Sequence, residues 1–185
     1  MNRVWLIRHG ATTAPPGAAI GASDPPLSDE GYRQAGRLAV ELAGMPLTRV
    51  LSSDLKRALA TADAIATPHR LGVESTPALR EIDFGAWEGR SLQDLWSEDP
   101  DAAKAWEDDI RSTPSSFGEN LADLERRVVS FWREVYPLNG GDVAIVGHRC
   151  SLAVLRACVT GESLEEAFST SLGIGEAVVV VVPRP

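Results

Sequence analysis

Short apolar runs alternate along this chain with stretches whose apolar positions recur every three or four residues, the pattern of strands interleaved with amphipathic helices. Residues 4–7 read as a buried strand. Behind Ser28-Asp29-Glu30, good N-cap and first-turn chemistry, Gly31, Ala35, Leu38, Ala39 and Leu42 share one helical stripe. Residues 49–52 form a second short strand. The helix after it opens at Ser53-Asp54, carries Leu55, Ala58, Leu59, Ala62, Ile65 and Ala66 on one face, and is expected to stop before Pro68.

From about 72 to 119 the periodicity dissolves among scattered Pro, Gly and Trp, which predicts an irregular lid or insertion with short helices over 92–96 and 102–110. Leu121, Leu124, Val128, Phe131, Trp132 and Val135 then fall at steps of three and four, a strong helix. Gly140-Gly141 opens a third central strand over 142–146, residues 151–159 read as helix, Ser163-Leu164-Glu165-Glu166 is a capping-box start, and Ala177–Val182 is a last strand. This alternation predicts an α/β fold with a largely parallel sheet. A length of 185 residues predicts one domain over 1–185.

Composition narrows the function classes. The longest apolar run, Ala177–Val182, is far shorter than the roughly 20 residues that cross a bilayer, and Met1-Asn2-Arg3-Val4-Trp5 lacks the apolar stretch of a secretory leader. A cytoplasmic location and no membrane partner are expected. Cys150 and Cys158 match neither a redox pair nor a zinc-finger spacing, so they read as small apolar fillers. A formal net charge of −8 with no basic run argues against nucleic acid. A small anion is still a possible ligand if a few arginines and helix N-termini make one place positive.

Such a place exists at the strand ends, where open α/β sheets bind ligands. The first strand runs into Arg8-His9-Gly10, the second into Ser52-Ser53-Asp54 with Arg57 just beyond, the third into Gly147-His148-Arg149. Guanidinium forks and helix dipoles suit a phosphoryl group, and a neutral imidazole is a competent nucleophile toward phosphorus. Glu81 is the candidate proton donor, in a loop where Phe84 and Trp87 would desolvate it, with Asp83 and Glu88 close by as the alternatives. Thr12 and Ser23 are candidate substrate contacts, with turn formation as their alternative. Arg149 is a further one, or else faces solvent. Glu88 is expected to bond loop backbone beside Trp87. Trp132 fits a core stripe, while Trp96 and Trp106 are the candidates for substrate contact.

Each residue alone has a plainer reading: His9 as the end of a strand, His148 as a helix cap, Arg57 as a surface residue. A metal site of His9, His148 and Cys150 lacks a shared face and a third ligand of suitable spacing, so no metal and no cofactor is expected. His69, between Pro68 and Arg70, reads as exposed.

Ile7-Arg8-His9-Gly10-Ala11-Thr12, Gly21-Ala22-Ser23-Asp24-Pro25-Pro26-Leu27-Ser28, Ser52-Ser53-Asp54-Leu55-Lys56-Arg57-Ala58 with Thr61-Ala62, Arg80-Glu81-Ile82-Asp83-Phe84-Gly85-Ala86-Trp87-Glu88-Gly89, and Gly147-His148 occur in that order. Together they resemble the histidine phosphatase superfamily, also called phosphoglycerate-mutase-like, along nearly the whole chain. A lone Arg-His-Gly triplet is a weak signal, whereas five linked blocks are a strong one. The resemblance implies a three-layer α/β/α sandwich around a mainly parallel sheet. It also implies His9 as the nucleophile that becomes phosphohistidine, Arg8, Arg57 and His148 as holders of the phosphoryl oxygens, and Glu81 as general acid and later base. The substrate would be a small phosphorylated metabolite. Phe84-Gly85-Ala86-Trp87-Glu88-Gly89 and Phe117-Gly118-Glu119-Asn120-Leu121 before Arg126-Arg127-Val128 most resemble alpha-ribazole phosphatases of cobalamin synthesis. Small broad-specificity phosphatases share most of these blocks.

The chain departs from the family pattern at Ala11 and Pro15, where Glu and Asn are frequent, and at Arg149 and Cys150, where small residues are usual. Phosphoglycerate-mutase-type transfer and a phosphate-ester-binding module without turnover are the alternatives. The mutase relatives are usually longer, with a central insertion for which this chain has no room. The oligomeric state is open, a homodimer being one candidate.

Overall fold

The computed structural model describes residues 2–113, 118–136 and 141–183. Five strands form one sheet: β1 (Asn2–Arg8), β2 (Leu47–Ser53), β3 (Val73–Thr76), β4 (Asp142–Gly147) and β5 (Ala177–Val182), in the order β3-β2-β4-β1-β5. All neighbours are parallel except β5, which runs antiparallel to β1 with Val4 opposite Val180. β4 lies at the centre and is buried along its whole length, as a strand covered on both faces must be. Its Val143 and Ile145 face one core and its Ala144 and Val146 the other.

Helices close both faces, giving the expected three layers. On one side lie α1 (Asp29–Leu42) and α2 (Lys56–His69), burying Leu38, Leu42, Ala58, Ala62 and Ile65 against the sheet. On the other are α5 (Leu121–Val135) and α6 (Arg149–Thr160), with Leu124, Val128, Phe131 and Trp132 meeting Leu152 and Leu155. Between β3 and α5 come α3 (Leu92–Glu98) and α4 (Pro100–Asp108), and α7 (Leu164–Ser169) precedes β5. Ser28 accepts from the Gly31 N–H at the head of α1, and Ser163 with Glu166 closes a capping box at α7, both as the local chemistry dictates.

Several boundaries shift by one or two residues from the sequence expectation, and three departures have a local cause. α2 begins at Lys56 rather than at Ser53-Asp54, because β2 extends to Ser53, whose hydroxyl takes the Leu55 N–H. The helix also passes through Pro68 to His69. A proline this near the end forfeits a single hydrogen bond, and Arg70 closes the helix in the left-handed region at φ 57° with its N–H on the Ala66 and Thr67 carbonyls. The stretch from 72 is not wholly irregular either: Val73–Thr76 pairs with β2 as the sheet's edge. Four residues carrying Glu, Ser and Thr are too short and too polar for apolar periodicity to reveal. Gly140 and Phe117, which entered the sequence expectations, lie outside the described residues. Among the described residues, no helix is long and apolar enough to cross a membrane.

Candidate active site

The carboxyl ends of β1, β2 and β4 meet at one edge, and the loops leaving them bring together Arg8, His9, Arg57, Glu81 and His148. They border a cavity of about 660 Å³, apart from His148, which is 0% exposed and packs against His9 with ring centroids 4.9 Å apart. Close backbone packing fixes the first loop. A Cβ on Gly31 of α1 would stand 2.0 Å from the Ala11 carbonyl oxygen, so only glycine lets the loop after His9 lie on that helix. The His9 N–H donates to the Gly147 carbonyl, the Gly175 N–H donates to that of His9, and the Gly10 N–H is held by the Thr61 hydroxyl.

His9 Nδ1 lies 2.7 Å from the Gly10 carbonyl oxygen, which can only accept, so Nδ1 carries the proton and Nε2 keeps its lone pair. Burial pushes the imidazole pKa down to about 3. The Gly10 contact works in the other direction, and the Arg57 and Arg8 cations lower it further. The ring is neutral and nucleophilic at physiological pH. His148 is likewise held neutral, its pKa well below the ordinary value, first by burial and then by His9, Arg57, Arg127 and Arg8.

Arg57, in the first turn of α2, is fully buried. It donates through Nη1 to the Ser23 carbonyl at 2.7 Å, through Nη2 to that of Gly21 at 2.8 Å, and through Nε to His148 Nδ1 at 3.3 Å. Arg8 donates through Nη1 to the Leu172 carbonyl. Burial lowers the pKa of both guanidinium groups, and Glu81 works against that for each. Two buried donors of this cluster are left over, and a third, Trp106 Nε1, belongs to the cavity wall. Arg8 Nε and His148 Nε2 have no hydrogen-bond partner among the described residues. Such orphans are costly without an acceptor, and a phosphoryl group carries acceptors in excess.

Glu81, 8% exposed, accepts from the Cys150 N–H at the head of α6 and from its own neighbour Ile82. Burial and Glu81 together push the Cys150 thiol pKa well up, so it stays protonated. Glu88 serves the loop, as expected. It accepts from the N–H groups of Gly21, Ala22, Ser23 and Phe84 and from the Ser23 hydroxyl. Burial opposes its charge, but these bonds outweigh that and hold its carboxyl below the usual range.

The remaining candidates divide. Thr12 lines the cavity while its hydroxyl takes the Ala14 N–H in a turn, and Arg149 lines it with Nε on the Ser171 hydroxyl. Ser23 does not line it: its hydroxyl is spent on Glu88, and its carbonyl on Arg57. Trp106 stands at the wall, edge-on to Phe84 and Trp87, whereas Trp96 is 42% exposed and lies off the cavity. The 42% exposure follows from its position on α3, where the buried contact is made by its neighbour Leu95. Phe168 and Ile174 also border the cavity, and no periodic pattern around them points there. Among the described residues, no three His, Cys, Asp or Glu side chains gather as a metal site.

Comparison with known proteins matches residues 4–183 to the model of the histidine phosphatase superfamily (branch 1). The chain is 34% identical to an adenosylcobalamin/alpha-ribazole phosphatase of Escherichia coli over 88% of its own length and 81% of the relative's. It is 31% identical to phosphoserine phosphatase 1 of Hydrogenobacter thermophilus over 91% of this chain and 81% of that one. The crystal structure of the alpha-ribazole phosphatase from Shigella flexneri superposes with a TM-score of 0.90 at 31% identity, covering 98% of this chain and 91% of the other.

Proposed function

The chain belongs to the histidine phosphatase superfamily, and from that premise we propose that it hydrolyses a small phosphomonoester with a bulky, ring-bearing leaving group by way of a phosphohistidine. His9 Nε2 attacks phosphorus in line, the bond to the ester oxygen breaks, and Glu81 delivers a proton to the departing alkoxide. Water, deprotonated by Glu81, then attacks the phosphohistidine, releasing phosphate and restoring the imidazole. Arg8, Arg57 and His148 hold the equatorial oxygens in both steps. The carrying observation is the neutral His9, its Nε2 lone pair free, beside two cations and two buried donors without acceptors.

The leaving group is argued from the cavity wall. Beyond the cationic floor it is built from Ala11, Pro15, Pro16, Ile20, Ile82 and Phe84, then Trp106, Ile110, Leu121, Phe168 and Ile174. Ala11 and Pro15, two departures from the family pattern, thus extend an apolar surface. The cations lining it are Arg8, Arg57 and Arg149, so a phosphoglycerate or phosphoserine would find one spare cation for its carboxylate and a largely apolar wall around it. An alpha-ribazole 5′-phosphate, with a substituted benzimidazole on its ribose, fits that wall better. Two free thiols, Cys150 and Cys158, suit work in the reducing cytoplasm.

The test is phosphate release from a panel containing alpha-ribazole 5′-phosphate, phosphoserine, 3-phosphoglycerate and glycerol phosphate, with excess chelator and with His9→Ala as control. Chelator-resistant release that vanishes in the variant, and is fastest on the ring-bearing ester, is expected. Tight ester binding by folded protein without any release would replace this reading with that of a binding module.

A further inference from the structure

Glu81 sits in no regular element. It follows the 3₁₀ turn Pro77–Leu79 and precedes another at Gly85–Trp87, so no helix or strand ladder holds its backbone. One side chain from the middle of α5 does so instead. Arg127 donates through Nη1 to the carbonyls of Ala78 at 2.9 Å and Arg80 at 2.8 Å, and through Nη2 to that of Glu81 at 2.9 Å. Its Nη2 and Nε each meet the Glu119 carboxylate at 2.8 Å. These bonds engage every one of the N–H donors a guanidinium possesses. Glu119 carries the grip past Glu81: its carboxylate accepts from the Asp83 N–H, and its own N–H donates to the Asp83 carbonyl.

The turn bearing Glu81 is therefore bracketed on both sides by one ion pair, while its carboxylate accepts from the Cys150 N–H of α6. Main-chain carbonyls of three residues converge on a single planar fork. A lysine ammonium, with three donors on a flexible stem, cannot reproduce that. A proton donor has to lie within hydrogen-bond reach of the leaving oxygen, and a misplacement of about 1 Å costs on the order of 100-fold in rate.

We infer that Arg127, locked by Glu119, is a positioning residue that sets where Glu81 stands relative to the leaving group. The inference rests on Glu81 being the proton donor of the reaction proposed above. Arg127 does not line the cavity that holds His9, so its hydrogen bonds reach catalysis through the Glu81 turn, and Arg127→Lys, which keeps the charge that also bears on His148, isolates that effect.

The experiment compares wild type, Arg127→Lys, Arg127→Met, Glu81→Gln and the Glu81→Gln/Arg127→Met double variant by two readouts. The first is kcat and KM on an alkyl phosphate, whose leaving oxygen needs a proton, and on p-nitrophenyl phosphate, whose leaving group does not. The second is amide hydrogen exchange across residues 78–83. Both Arg127 variants should lose about tenfold or more in kcat/KM on the alkyl ester and less than about threefold in kcat/KM on the aryl ester, kcat/KM reporting the ester-breaking step and not the later hydrolysis of the phosphohistidine that both esters share. The double variant should be no slower than Glu81→Gln alone, and exchange in 78–83 should rise. Equal losses on both esters, multiplicative effects in the double variant, or unchanged rates would each overturn the inference. Arg127→Lys keeps the charge and guards against a Met variant that does not fold. Should wild type release phosphate from no ester, the phosphatase reading falls by itself and exchange alone judges the clamp: unaltered protection of 78–83 in Arg127→Lys refutes it, and a rise confined to that turn upholds it.

Discussion

Arg57 Nε donates to Nδ1 of His148 at 3.3 Å, which makes that ring nitrogen an acceptor. With Nδ1 as acceptor the hydrogen sits on Nε2, the atom without a protein partner, so His148 presents a neutral donor. Arg57→Lys removes the fork that joins His148 to the Gly21 and Ser23 carbonyls. We expect kcat/KM on every ester of the panel to fall by about 100-fold or more, the scale seen when one donor to a transition-state oxyanion is lost. Stability in urea should fall by roughly 2–4 kcal/mol, since two buried acceptors and one half-buried one lose their partner. A lysine variant within tenfold of wild type would remove Arg57 from the phosphate-holding set.

The lowered pKa of His9 makes stability depend on pH with a defined sign. The unfolded chain's imidazole takes up its proton near 6.5, and the folded one near 3. Between those values the unfolded state binds more protons, so His9's contribution to stability, present above 6.5, declines as pH falls, by up to about 1.4 kcal/mol per pH unit. The denaturation midpoint of His9→Asn should therefore drop less than that of wild type between pH 6.5 and 4, and parallel curves would contradict the buried neutral imidazole.

Glu88 gathers the N–H groups of residues 21–23 and of Phe84 on one carboxylate. Glu88→Ala leaves those donors without their acceptor, and we expect a loss of about 1–3 kcal/mol in thermal or urea unfolding. Activity should fall as well, because Gly21 and Ser23 are the residues whose carbonyls orient Arg57. A variant with normal kcat and lowered stability would separate the loop's structural part from its catalytic one.

Trp106 brings the largest aromatic ring system to the cavity lining. In Trp106→Ala the KM for alpha-ribazole 5′-phosphate should rise by about tenfold, corresponding to roughly 1.4 kcal/mol of lost contact, and the KM for glycerol phosphate by much less. Equal changes for both esters would deny the wall a role in choosing the leaving group.

Much of this was legible in the chain because the same residues serve local and global demands. Arg8-His9-Gly10 and Gly147-His148 end strands whose apolar runs are unmistakable, so their convergence followed from the α/β rule about strand ends. β3 was hidden because an edge strand with exposed Glu and Ser positions needs no apolar alternation. The supports of the site were hidden for a different reason. The Gly21 and Ser23 carbonyls, like those of residues 78–81, act through main-chain oxygen, which every residue has and no side-chain pattern marks. Trp96 and Trp106 look alike in composition, but Trp96 lies on α3 and is exposed while Trp106 lies on α4 and lines the cavity.

The Glu88 knot also bears on how this enzyme can change. Gly21 approaches Ile82 so closely that a Cβ there would lie 1.9 Å from its carbonyl oxygen, and Glu88 stitches residues 21–23 onto the segment that bears Glu81. Two stretches about sixty residues apart in sequence are thus a single mechanical part, and neither can be exchanged without the other. The Pro15–Pro16 turn and the Trp106 helix carry none of the Glu88 bonds, although Trp106 packs edge-on against Phe84 and Trp87. New substrates are therefore expected to be acquired by rebuilding the rim, while the machinery that breaks the ester bond is inherited whole.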